Sequence, residues 1–489
     1  MKKSIVLATA NARYSHTAFG LRWLYANLGE LRGQAVVREF TIRDSAERIA
    51  AAVLEHEPRV AGFGVYIWNF GLLTEAIELL KAARPDVAVV VGGPEASHEY
   101  EGTALFDTAD YLVRGEGEVA FAQLAAGLLR CGGSLTPPTE KVVDGGAVDV
   151  AGLRTPYELY TEEDIARRVV YVESSRGCPF RCGFCLSSLD KGVREFPIEP
   201  FLIEMGRLVD RGARQFKFVD RTFNLRQERV TAVLNWFLER PLDGLRLHFE
   251  IVPDRLTAET FELFGRFPPG ALHLEAGVQS FNPDALAAVS RRQDLEKTVS
   301  NLRFLREQTG ALIHADLVAG LPGETWESFA GGFDRLVGLR PHALQVGILK
   351  RLKGTPLARY DGPHKLAFRA EPPYGITETD LIDAARIARI KRFARYFDVY
   401  YNSGNFPRTC CMIWEKSGAP FQSFMSFSDF LWEKTRKTHA VPLAESARLL
   451  YKFLTTAGGI DADTAAAAVE KDFRRLPGRR DRLRLNSAI

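Results

Sequence analysis

Two series of β-rich runs, each broken by helical stretches, constrain the fold of this chain more than any other feature. Ser4–Ala10, Val36–Ile42, Val60–Trp68 and Val87–Val91 form the first series, and Ala18–Leu28 reads as a helix between the first two. This βαβ rhythm predicts an open parallel sheet over residues 1–130, with any ligand at the carboxyl ends of its strands. The second series is Val169–Glu173, Gln215–Val219, Arg246–Ile251, Leu272–Val278, Ile313–Val318 and Leu344–Leu349. Six strands with helices between them fit a partial (βα)6 barrel over residues 168–360, whose active site would lie at the strand carboxyl ends. Residues 131–167 read as a linker, punctuated by Gly132-Gly133, Pro137-Pro138 and Gly145-Gly146. Residues 361–489 turn mostly helical, with Asp380–Tyr396 and Ala444–Thr456 as amphipathic candidates. The expected class is α/β with a helical C-terminal domain.

The second series opens on the run Arg176-Gly177-Cys178-Pro179-Phe180-Arg181-Cys182-Gly183-Phe184-Cys185. Three thiolates cannot complete the shell of a four-iron cluster, so one iron is left open to bind and reduce a small molecule. A structural zinc site or an electron-transfer cluster would want a fourth ligand. The other cysteines are Cys131, Cys410 and Cys411, all distant in sequence. The tight spacing, with Gly177 and Pro179 between and beside the thiols, argues against scattered structural cysteines.

This run resembles the cluster loop of the radical S-adenosylmethionine (SAM) enzymes. The resemblance implies that Cys178, Cys182 and Cys185 hold a [4Fe-4S] cluster whose open iron is chelated by SAM. It implies an electron donor such as flavodoxin or ferredoxin, and it sets Phe184 near the adenine. Later elements follow the superfamily's order. Phe218-Val219-Asp220 would meet the SAM amino group, Glu250 would face the cavity, and Gln279-Ser280 would lie near the ribose. Asp316, ahead of Gly320-Leu321-Pro322-Gly323, falls near the adenine, and Leu349 ends the sixth strand. The turns Val91–Ser97 and Arg114–Glu118 together resemble the Rossmann-like cobalamin-binding domain that precedes many radical SAM cores. Here the sequence departs from that family. The Asp-x-His-x-x-Gly motif, whose histidine ligates cobalt, is absent, and His16 reads better as a loop or substrate-facing residue. The departure favours a relic fold over a domain that binds cobalamin without a protein ligand.

Cys410 and Cys411 are adjacent. They read either as small buried hydrophobes, as a soft-ligand pair for a thiophilic centre such as As(III), or as a redox-active pair. With the domain order and the missing histidine, they give the chain a similarity to the radical SAM enzyme of arsinothricin biosynthesis. That similarity implies transfer of the 3-amino-3-carboxypropyl group of SAM to arsenite held by the pair. Cobalamin-dependent methylation of a small-molecule or peptide carbon competes with it, as does a non-catalytic iron–sulfur sensor. A tRNA methylthiotransferase fits less well, because Cys131 is the only cysteine before Cys178.

Composition narrows the rest. A formal net charge of +3 on 489 residues carries no nucleic-acid signature, although Lys471, Arg474, Arg475, Arg479, Arg480, Arg482 and Arg484 make a basic end. No apolar run approaches the ~20 residues that span a bilayer. Six cysteines in so long a chain form no disulfide framework, which points to the cytoplasm, where thiols and oxygen-sensitive clusters survive.

Overall fold

The computed structural model describes residues 2–130, 140–190, 192–475, 483 and 485. Its first sheet runs in the order β2-β1-β3-β4-β5-β6, and every pairing is parallel. The strands are β1 Ile5–Asn11, β2 Ala35–Thr41, β3 Val60–Gly64, β4 Ala88–Gly92, β5 Tyr111–Arg114 and β6 Val142–Asp144. Strand β1 is buried along its whole length. Alternation divides its side chains between two layers. Ile5 and Leu7 pack against the helices Phe19–Ala26 and Glu118–Leu129, while Val6 and Ala8 pack against Ala46–Leu54 and Phe70–Ala83. The chain reverses strand order between β1 and β3, which leaves a crevice at the carboxyl ends. Strand β3 stops at Gly64, short of Trp68, because buried Asn69 closes the turn. Its Oδ1 accepts from the Tyr66 amide at 2.8 Å, and its Nδ2 donates to Thr9 and Ala10 on β1.

Residues 140–167, the described part of the region read as a linker, are built into the fold. Val142–Asp144 adds the sixth strand, and Tyr157 and Tyr160 are buried beneath the barrel. The helix Glu162–Arg167 starts at a capping box in which Thr161 and Asp164 satisfy each other's backbone N–H. Asp164 also joins Arg22, Glu39 and Arg168 in an ion network between the two sheets. Cys131, Gly132-Gly133 and Pro137-Pro138 lie outside the described residues.

The second sheet is wholly parallel, in the order β14-β13-β12-β11-β10-β7, from β7 Val170–Val172 through β10 Gln215–Phe218, β11 Arg246–Ile251, β12 Leu272–Gln279 and β13 Leu312–Ala319 to β14 Ala343–Ile348. Between β7 and β10 lies a short antiparallel pair, β8 Ser175–Arg176 and β9 Arg194–Glu195. After β14 comes another, β15 Ala367–Phe368 and β16 Ile376–Glu378. Phe216, Phe218, Phe249 and Leu274 point outward into the helix layer. Lys217, His248, Glu250, His273, Glu275, His314 and Asp316 take the opposite parity and make the concave face polar. The C-terminal helices Ala384–Phe397 and Pro420–Thr435 pack Phe393, Phe397 and Phe421 around Phe333 of the barrel helix Trp326–Gly338. Of the basic end, Lys471 and Arg474 lie in the helix Ala462–Arg474. Arg479, Arg480, Arg482 and Arg484 are outside the described residues. No helix among the described residues is long and apolar enough to cross a membrane.

Candidate active site

The cysteine loop starts at a backbone crossing that only glycine permits. Gly177 has φ +88°, and a Cβ there would lie 2.0 Å from the Gly192 carbonyl oxygen. The β8–β9 pair holds the loop's two ends together. Cys178, Cys182 and Cys185 then line one cavity of about 170 Å³ at the carboxyl ends of the barrel strands. Burial pushes the Cys182 thiol up, and the Arg291 guanidinium, 3.7 Å from Sγ, opposes that shift. Cys178 Sγ lies 3.6 Å from Thr222 Oγ1. Among the described residues, no three His, Cys, Asp or Glu side chains converge closely enough to hold a single metal ion. A cluster asks for something different, since each thiolate binds its own iron and the sulfurs stand apart. Three thiols on one loop facing one cavity, with a cation beside them, suit that group.

The eight expected cofactor-site residues divide into two groups of four. Phe184, Glu250, Gln279 and Asp316 line the same cavity. Asp316 Oδ1 is buried with no hydrogen-bond partner, and burial, then Glu275 and Glu250, push this carboxyl up to about 8. Burial likewise raises Glu250. Gln279 sits at φ +71° where β12 bulges against β13, and its Nε2 reaches back over Gly277, 2.4 Å from where a Cβ there would lie. By contrast, Phe218 faces the helix layer, packed on Phe249 at 4.6 Å. Asp220 is 1% exposed and spent on the chain itself. It accepts from the Ser174 amide and from the Ser174 and Ser175 hydroxyls at 2.6–3.0 Å, fixing the strand that leads into the loop. Ser280 is buried against Glu324. Leu349 belongs to the apolar cluster on which Phe184 packs. These four are corrected from cofactor contacts to supports. On the cavity wall, Glu275 accepts from His248 at 2.8 Å, which holds it down to about 2.

Arg221, Thr222 and Arg291 were not expected in the site. They come from loops after β10 and after the helix Pro283–Ala288, where no periodicity marks them. A charged residue immediately after a strand was the only signal available for Arg221.

A second cavity, of about 410 Å³, opens at the carboxyl ends of the first sheet. Glycines make its walls. A Cβ on Gly62 would lie 2.9 Å from Leu7 and Phe121, and one on Gly93 only 2.6 Å from the Val65 carbonyl. Arg221 is common to both cavities, and Glu173 and Arg176, just before the cluster loop, also line the second. Burial pushes Glu173 up to about 7 despite the adjacent Arg176. His16 is not in the cavity wall. Its ring packs edge-on to Tyr171 at 6.2 Å, and its carbonyl accepts from Asn11 and Arg168.

Residues 5–125 match the model of the B12 binding domain, and residues 172–336 match that of the radical SAM superfamily. The chain carries a B12-binding domain followed by a radical SAM domain. Residues 362–480 match a family described as a protein of unknown function, DUF4080. The chain is 27% identical over 357 residues to the cobalamin-dependent radical SAM methyltransferase TokK of Streptomyces tokunonensis, covering 65% of this chain and 50% of TokK. It is 28% identical over 200 residues to a tRNA-2-methylthio-N(6)-dimethylallyladenosine synthase of Thiobacillus denitrificans, covering 39% of this chain and 45% of that enzyme. The chain thus spans about half the length of these curated relatives. Its fold is that of TsrM, a radical SAM methyltransferase of Kitasatospora setae solved with cobalamin and a [4Fe-4S] cluster (TM-score 0.63, 18% identity, 96% of this chain and 99% of that one). It is also that of the cobalamin-dependent enzyme OxsB (TM-score 0.64, 14% identity, 97% of this chain and 79% of that one). The expectation of a relic domain is therefore corrected. The B12-binding match and the glycine-walled cavity point to cobalamin use, and the missing motif removes only the histidine.

Cys410 and Cys411 are corrected as well. Asn402 hydrogen-bonds both the N–H and the C=O of Leu344, so the segment leading to the thiols docks at the amino end of β14, opposite the cluster loop. Cys410 is fully buried in the apolar core, and Cys411 Sγ donates to the Pro407 carbonyl. Burial pushes both thiols up, away from the thiolate a soft metal needs. Cys410→Ser, which buries an unpaired hydroxyl, is expected to cost roughly 1–3 kcal/mol in thermal or denaturant unfolding. Cluster absorbance should stay unchanged.

Proposed function

We propose that the protein transfers a methyl group from SAM, by way of cobalamin, to an acceptor carbon. The observation that carries this reading is the shared wall of the two cavities at Arg221. One cavity suits a cluster and SAM, the other would suit a corrinoid, and the two have a side chain in common. When bound, the cluster would supply an electron to the sulfonium and cobalamin would carry the methyl group. The chain's own part is to hold and orient. Cys178, Cys182 and Cys185 hold the cluster. Phe184, backed by Leu349, offers a flat apolar wall. Asp316 Oδ1 offers an acceptor to a ligand hydroxyl or ammonium. The acceptor is a small molecule or peptide, a flavodoxin or ferredoxin serves as electron donor, and the cytoplasm is the compartment. A non-catalytic iron–sulfur sensor would have no use for the second cavity.

Anaerobic, cluster-reconstituted protein given SAM, reductant and hydroxocobalamin is expected to form S-adenosylhomocysteine only when the corrinoid is present, as read by mass spectrometry. Formation that ignores the corrinoid would defeat the reading. 5′-Methylthioadenosine, formed in step with added arsenite, would instead support aminocarboxypropyl transfer to As(III). That alternative lacks a thiol acceptor site, since the cluster cysteines are the only ones lining the cavity among the described residues.

A further inference from the structure

Glu118 opens the helix Glu118–Leu129 and stands in the wall of the glycine-lined cavity. It is 5% exposed. Its Oε1 holds Arg176 Nη2 at 2.7 Å. Its Oε2 is buried and has no hydrogen-bond partner among the described residues. A buried carboxylate oxygen left without a donor is costly, and native proteins keep such a group mainly where something else satisfies it. The charged donors beside it are engaged elsewhere, and the Trp23 indole N–H in the same wall is likewise buried without a partner, so it does not satisfy Oε2. Arg176 Nη2 is shared between Glu118 Oε1 and Glu173, and Arg194 and the Val148 amide are taken by Glu116. The rest of the wall is largely glycine and apolar side chains, with no donor aimed at Oε2. A ligand of this cavity that carries a donor would satisfy Oε2.

Resting on the reading that the cavity takes cobalamin, we propose that Glu118 is a cobalamin-recognition residue whose Oε2 accepts a hydrogen bond from a neutral donor of the cofactor. Two parts of that molecule carry such donors, namely the ribose hydroxyl of the nucleotide tail and the carboxamides at the corrin rim. Because the other oxygen of the same carboxylate anchors Arg176, two residues before Cys178, Glu118 joins the cofactor cavity to the root of the cluster loop.

The test is equilibrium binding to the cluster-reconstituted full chain, followed by absorbance, with hydroxocobalamin and with dicyanocobinamide, which lacks the nucleotide. Glu118→Ala should bind cobalamin roughly ten- to a hundredfold more weakly, the range for a hydrogen bond to a charged group. Glu118→Gln, nearly isosteric and still an acceptor, should recover part of that loss. Iron content after reconstitution and far-ultraviolet circular dichroism of Glu118→Ala should match wild type, so that the loss is one of corrinoid binding. A loss seen with both corrinoids assigns the donor to a corrin carboxamide, and a loss confined to cobalamin assigns it to the ribose. Wild-type affinity in Glu118→Ala would overturn the proposal. So would an iron content in Glu118→Ala that falls in step with the affinity, because Glu118 would then act only through Arg176 and the cluster loop. A wild-type protein that retains neither corrinoid would defeat the underlying reading instead.

Discussion

Cys178→Ala, Cys182→Ala and Cys185→Ala are each expected to lose the four-iron absorbance after reconstitution, and SAM cleavage should fall to the level of the iron-free protein. The loop contains three sulfurs and no spare. No other cysteine lines this cavity among the described residues, so a missing ligand has no substitute. The loop's backbone does not depend on the thiols. Gly177 and the β8–β9 pair set its path, and Gly183 N–H donates to the Val289 carbonyl at 2.8 Å. The variants should therefore fold, and the loss should be one of ligation rather than of structure. Far-ultraviolet circular dichroism beside iron content separates the two. A single variant that keeps a full cluster and turns over SAM would remove the assignment.

Asp316→Asn is expected to stabilise the protein against unfolding at alkaline pH, in the cluster-reconstituted form without SAM. In the folded chain this carboxyl is pushed up to about 8, by burial first and by Glu275 and Glu250 next. In the unfolded chain it returns to an ordinary value of about 3.9. Between those values the folded state holds a proton that the unfolded state has released. Stability therefore falls as pH rises through that window, by at most ~1.4 kcal/mol per pH unit, and levels off above it. The side chain keeps 18% of its exposure, so the total should be a few kcal/mol rather than the full product. Asparagine does not titrate. The advantage of the variant should be constant below pH 4 and grow toward pH 8 or 9 in denaturant unfolding. A difference that stays flat from pH 5 to pH 9 would show that burial of Asp316 costs nothing.

Much of this architecture was legible from local signals. The β-branched runs located ten of the strands in the two parallel sheets, because strands in such sheets are apolar nearly end to end. The cysteine spacing located the cluster loop. Parity was harder. In β10, Phe216 and Phe218 face the helices and Lys217 faces the barrel, so the residue that looked like a cofactor contact lies on the other layer. A one-residue change of phase moves every side chain of a strand across the sheet, and sequence alone did not set the phase. Asp220 and Ser280 stand next to the right place, yet their hydrogen bonds run to the chain itself. The Cys410-Cys411 pair could not be located because its distance from the cluster depends on how a helical domain docks, which no local pattern encodes. Strand β6 was missed for a related reason. Its apolar segment spans only three residues, Val142–Asp144, and becomes a strand only when the edge of β5 is there to pair with it.

That late strand bears on how the molecule can be divided. A fragment cut after residue 130 would end with β5 as an open edge, its amide and carbonyl groups unpaired and available to any other chain. It would also leave Glu116 without Arg194 and Arg22 without Asp164. The span that resembles a hinge between two modules is instead the seam that closes both. A cut there would open both halves at once.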